Sequence, residues 1–178
     1  MAAHLHMAPA IADAESHPAP SPIRVVLADD HTLMRHGLRL TLEEEPDVEV
    51  IAEADDMSCA IRQVDLFKPH VLVLDLRMRG GSSVETIADM RERVPNMRVV
   101  VLSMNDSPAF ARHALGAGAL GFVLKDLADS ELPEAVRAAA RGEQYASPRV
   151  AARLDAVNRS VRELVEGALW DSSQLGLE

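Results

Sequence analysis

From Ile23 onward the chain alternates short apolar runs with stretches of helical periodicity. Ile23–Ala28 is an apolar run that ends in Asp29-Asp30, and Leu33, Met34, Leu38 and Leu42 then recur at helical spacing. Val48–Ala54 reads as a second strand, followed by a helix over Met57–Phe67 that the pair Lys68-Pro69 closes. Val71–Leu74 is a continuous apolar strand ending at Asp75, and a helix over Ser83–Val94 stops before Pro95. Arg98–Leu102 ends at Ser103, Pro108–Leu115 is helical, Ala119–Leu124 ends at Lys125, and Ser130–Arg141 forms the fifth helix. Five strands alternating with five helices predict a parallel sheet wound on both faces, since strands this apolar need cover on either side.

The flanks differ in character. Residues 1–22 hold seven alanines, four prolines and three histidines, with Pro18, Pro20 and Pro22 breaking any period. That composition predicts a flexible leader, with His4, His6 and His17 lacking the spacing of a metal tract. Residues 23–146 would form the folded domain, and 147–178 a further helix and a polar tail. In that tail Val150, Leu154, Val157, Val161, Leu164 and Ala168 recur at alternating spacings of four and three. Such a stripe serves either a coiled-coil seam or a helix docked on its own domain.

Composition narrows the class. Hydrophobic residues make up 48% of the 178, enough for one packed core, and five aromatics leave most of the filling to aliphatic side chains. A formal charge of −10 argues against broad phosphate-backbone binding, and the tail lacks a basic face for DNA. Cys59 is the single cysteine, so no internal disulfide forms, and no apolar run reaches the roughly 20 residues that span a bilayer. With no basic signal-like start, a cytoplasmic location is expected.

In open α/β sheets chemistry gathers at the carboxyl ends of the strands. Here those ends carry Asp29 and Asp30, Asp75, Ser103 and Lys125. Three crowded carboxylates repel one another unless a hard cation joins them, and Mg2+ suits such an oxygen set. A carboxylate can attack phosphorus, and metal and ammonium can offset the charge that builds on the transferred group. These ingredients describe phosphorylation of an aspartate.

The segments LADDHTLMRHGLRLTLE, VLVLDLRMRGG, VVVLSMND and GALGFVLKD resemble the receiver domain of two-component response regulators, most nearly the NarL/FixJ (LuxR-type) subfamily. The resemblance covers about residues 23–146 and implies a flavodoxin-like (βα)5 fold with strand order 2-1-3-4-5, here with an extra C-terminal helix. It implies that Asp75 is the phosphoacceptor, Ser103 the switch hydroxyl, Phe122 the switch aromatic and Lys125 the phosphoryl-contacting lysine. Asp30, Asp75 and the backbone carbonyl of Arg77 would hold Mg2+, with Asp29 assisting through water. The implied donor is a sensor histidine kinase or a small phosphodonor. The implied output is a protein contact, such as a homodimer through the C-terminal helix or the face formed by the fourth helix, fifth strand and fifth helix.

Some positions depart from the family pattern: Arg79 stands where proline is usual, Ser82-Ser83 where Asp-Gly or Asn-Gly is usual, and Phe122 in place of tyrosine. His31, next to the acidic pair, has the place of a ligand, but its position at a helix start favours a structural or surface role. Two other readings remain: the receiver portion of a DNA-binding regulator whose helix-turn-helix domain is absent from this sequence, and a haloacid dehalogenase-type aspartyl phosphatase. The second is disfavoured by Arg77, where such enzymes want a second aspartate.

Overall fold

Strand β3 (Val71–Asp75) is buried at all five positions, the condition of a strand covered on both faces. In the computed structural model, which describes residues 21–79 and 84–174, it lies inside a sheet of β1 (Ile23–Ala28), β2 (Val48–Ala54), β4 (Arg98–Ser103), β5 (Gly121–Leu124) and β6 (Tyr145–Ala146). The order is β2-β1-β3-β4-β5-β6 with every pairing parallel. Between the strands run α1 (Thr32–Glu43), α2 (Met57–Phe67), α3 (Glu85–Arg93), α4 (Pro108–Gly116) and α5 (Ala128–Arg141), and α6 (Pro148–Gln174) follows β6. This is the flavodoxin-like doubly wound fold, enlarged by one short strand and one helix.

The two-residue period of the strands sends neighbouring side chains to opposite faces. Val26, Leu72, Val101 and Phe122 meet Ala60, Ile87, Met90 and Ala111 of α2, α3 and α4. Val25, Val73, Leu102 and Val123 meet Leu38, Leu42, Leu132 and Val136 of α1 and α5. Gly121 opens β5 where a Cβ would lie 2.8 Å from the Val100 methyls, so only glycine permits that close approach. Asp56 caps α2 by accepting from the Cys59 amide at 2.6 Å, and Gly142, at φ 81°, ends α5 in the left-handed region.

Most element bounds follow the hydrophobic pattern, with local differences. β5 begins at Gly121 rather than Ala119, and a 3-10 turn over Lys125–Leu127 lets α5 start at Ala128 rather than Ser130. α3 begins at Glu85, and Ser82-Ser83 lie outside the described residues, as does the leader up to residue 20. The tail stripe docks on its own domain at its start: Val150 is fully buried in the core and Leu154 packs against it. The side chains of Val161, Leu164 and Ala168 lie outside the described residues.

Candidate functional site

Each strand of a parallel sheet delivers its last residue to one rim, and the register places Ala28 beside Leu74 and Asp75 beside Leu102. Asp29, Asp75 and Lys125 therefore meet, Ser103 ends β4 on the same rim, and all four are buried. The Lys125 ammonium lies between two carboxylates, donating to Asp29 Oδ2 at 2.5 Å and to Asp75 Oδ2 at 2.7 Å. Burial pushes this ammonium down, but the hydrogen bonds and charges of Asp29 and Asp75 more than offset it, so its pKa stands above the ordinary lysine value.

The other carboxylate oxygens are held by backbone amides. His31 N–H donates to Asp29 Oδ1 and Arg77 N–H to Asp75 Oδ1, both at 2.8 Å. Arg79 N–H reaches Asp30 Oδ2 at 3.3 Å, tying the loop after β3 to the acidic pair. Asp30 Oδ1 is buried without a hydrogen-bond donor among the described residues. Ligand atoms of Asp29, Asp30, His31 and Asp75 all lie within 4.8 Å of one another. Two carboxylates share one buried ammonium, and the third, Asp30, has an oxygen that accepts no hydrogen bond. The donor set is mostly hard oxygen, so the residues fit a small divalent cation such as Mg2+.

Ser103 Oγ is turned into its own loop, accepting from the Asn105 amide at 2.9 Å and donating to the Asn105 carbonyl at 3.2 Å. Phe122 is fully buried and packs edge-on against Phe110, with ring centroids 6.1 Å apart. The aromatic side chain is thus already inside while the hydroxyl remains engaged away from Asp75.

Sequence reasoning missed one residue here. Arg35 donates to the Asp29 carbonyl at 2.6 Å and to Glu53 at 3.1 Å, fixing the end of β1 against β2. His31 is exposed, as its reading as a structural or surface residue implied, and its ring lies against Asp29 and Asp30. Beside the cluster an open cleft of about 640 Å³ is lined by Leu33, Met34, Leu38, Met104 and Lys125. Leu33 and Met104 stand exposed at its mouth.

Residues 25–137 match the response regulator receiver domain family. The chain belongs to that family. This receiver is 35% identical to the transcriptional regulatory protein DegU of Brevibacillus brevis over 156 residues, 88% of this chain and 65% of that protein. It is 38% identical to the nitrate/nitrite response regulator NarP of Escherichia coli over 133 residues, 75% of this chain and 62% of NarP. The receiver thus spans less than two thirds of the length of these curated relatives. Among solved structures, a LuxR-family two-component response regulator from Aurantimonas sp. superposes with a TM-score of 0.73 at 33% identity, over 78% of this chain and 99% of that one. The isolated receiver domain of RcsB from Salmonella enterica, determined with the phosphomimetic BeF3-, gives 0.69 at 32% identity, over 75% of this chain and 99% of that one. Among the described residues, no helix is long and apolar enough to cross a membrane.

Proposed function

We propose that this receiver accepts a phosphoryl group on Asp75 from a sensor histidine kinase or a small acyl phosphate, and passes the signal on through a change of protein contacts. The observation that carries this reading is Lys125 held between Asp29 and Asp75 beside the orphaned Asp30 oxygen. Residues 23–146 are the receiver on this reading, and 147–178 its C-terminal helix and tail.

Asp30, Asp75 and the Arg77 carbonyl would hold Mg2+, with Asp29 one water away. Bound there, the ion supplies charge neutralisation for the phosphoryl oxygens. A carboxylate oxygen of Asp75 attacks phosphorus, the bond to the donor nitrogen or oxygen breaks, and the leaving group departs with the electron pair. The Lys125 ammonium, already in contact with Asp75, offsets charge on the transferred group. Ser103 must give up its bonds to Asn105 before its hydroxyl can meet a phosphoryl oxygen, which makes that loop the moving part. Phe122 is already packed inside, so it acts by holding the inward arrangement once Ser103 has moved. Leu33 and Met104 offer apolar contact to a protein donor at the mouth of the site.

Incubation with acetyl phosphate and Mg2+ is expected to add one base-labile phosphoryl group, absent in Asp75→Asn and without added divalent cation. Undiminished labelling of Asp75→Asn overturns the assignment. Steady release of phosphate from many substrates would instead favour the dehalogenase-type phosphatase.

The name of DegU, a transcriptional regulatory protein, favours a transcriptional readout in a longer regulator. The protein contact through which this receiver would act is a homodimer using α6 or the face of α4, β5 and α5. Sedimentation with and without beryllofluoride tests it, and an unchanged monomer directs the search to a different partner.

A further inference from the structure

Phosphotransfer gives no task to His31, although its ring lies against the acidic cluster. The side chain is 70% exposed and could turn to water, yet Nδ1 sits 2.9 Å from Asp30 Oδ1 and 3.3 Å from Asp29 Oδ1. The backbone sets this placement, because the His31 amide is tied to Asp29 Oδ1 and the residue caps α1 in extended conformation. Despite the short distance, Asp30 Oδ1 accepts no hydrogen bond from the ring. Two donor atoms this close, with no bond between them, are spaced like neighbouring corners of an octahedron. Metal–ligand bonds of about 2.1 Å put adjacent ligands about 3.0 Å apart.

We infer that His31 Nδ1 is a further ligand of this cation site, and that it moves the site's preference from Mg2+ toward a later first-row transition cation. The inference rests on the reading of the acidic cluster as the receiver's cation site. An all-oxygen set gives a transition ion little advantage, whereas imidazole nitrogen adds affinity for Co2+, Ni2+ or Zn2+ and little for Mg2+. His31 then acts as a metal-selecting residue, with Asp30 as its neighbour on the ion and Asp75 keeping one oxygen for the reaction.

The test is titration of the full chain with Mg2+ and, separately, with Co2+, followed by calorimetry and by Co2+ visible absorption. Asp30→Asn identifies the share of Co2+ binding that belongs to this site and separates it from binding by His4, His6 and His17. For that share, His31→Ala is expected to lose at least about tenfold in Co2+ affinity, with a shifted absorption band, and to keep its Mg2+ affinity within about twofold. Equal Co2+ affinity and an unchanged spectrum in His31→Ala overturn the inference. A gain for both cations also overturns it, by marking the imidazolium as a counter-ion that competes with the metal. Failure of the parent chain to bind either cation in an Asp30-dependent way overturns it together with the phosphotransfer reading. Normal Mg2+ binding without a His31 effect overturns the inference alone.

Discussion

Arg153, near the start of α6, holds the Asp106 carboxylate at 2.7 Å in the loop that follows Ser103. One turn earlier Arg149 pairs with Asp126, the residue after Lys125, at 2.9 Å. Two arginines on one helix face thus grip the two loops that carry the site's hydroxyl and its ammonium, and Val150 is sunk in the core beside them. Half-exposed pairs of this kind contribute about 0.2–1 kcal/mol each. Arg153→Ala is therefore expected to change stability little, while hydrogen exchange rises in the first turns of α6 and in residues 104–107. Beryllofluoride should raise exchange at the same amides of the parent chain as the Ser103 loop moves. Unchanged exchange in both experiments would separate α6 from the site.

Lys125 neutralises two buried carboxylates at once, and removing one member of a buried ion set leaves uncompensated charge. Lys125→Ala is expected to cost about 3–5 kcal/mol in the absence of divalent cations. Millimolar Mg2+ should return more stability to the variant than to the parent, because the carboxylates it leaves exposed to one another take up the ion. Because the folded pKa is raised, this stabilisation is fully present below the ordinary lysine value of 10.5 and fades only as pH rises through the higher folded value. Urea denaturation with and without Mg2+ measures both effects, and equal Mg2+ increments would contradict the second.

Arg137 of α5 grips both oxygens of Asp47, at 2.7 and 2.8 Å, and also bonds Glu45. The hydrogen bond from Arg137 holds the Asp47 carboxyl below its ordinary value of 3.8, with burial opposing. A depressed carboxylate stabilises the fold above its unfolded pKa and loses that contribution as pH falls through its folded value. The stability gap between the parent and Asp47→Asn should be constant from neutral pH to about pH 5 and shrink below about pH 4. Thermal melts across that range check it, and a gap that widens in acid would refute the direction.

The Ser147 hydroxyl is buried, accepts from the Leu124 amide at 2.9 Å and donates to Glu131. Ser147→Ala leaves a buried amide without its partner, at an expected cost of about 1–3 kcal/mol in chemical denaturation. A loss under about 0.5 kcal/mol would mean that water replaces the hydroxyl.

Legibility in the sequence tracked how local the cause of each feature was. β1, β2 and α2 have the bounds that the apolar pattern implied, because burial on two faces or one stripe writes itself into neighbouring residues. β6 did not show, since two residues, Tyr145 and Ala146, cannot display a period and pair only because β5 is already in place. The gathering of Asp29, Asp75 and Lys125 was readable as a rule about strand ends, whereas the shared ammonium between two carboxylates depends on side-chain reach. Arg35 escaped for the same reason. The stripe from Val150 could not choose between docking and pairing, because either partner asks for the same apolar positions, and Val150 and Leu154 are used for docking.

The short strand after α5 also governs how this receiver meets its neighbours. A sheet's border strand offers unpaired amides and carbonyls to any extended chain that comes near. Without the segment from Tyr145 to Ser147, β5 would be that border. Instead Tyr145 N–H donates to the Leu120 carbonyl and Ser147 N–H to that of Phe122, and the Ser147 hydroxyl takes the Leu124 amide where the chain turns away. A side chain thus finishes a ladder that the backbone leaves incomplete. A receiver cut back to Gly142 would keep the acidic cluster and its lysine but would carry an open template for strand addition, so versions shortened for study should retain the chain at least through Val150.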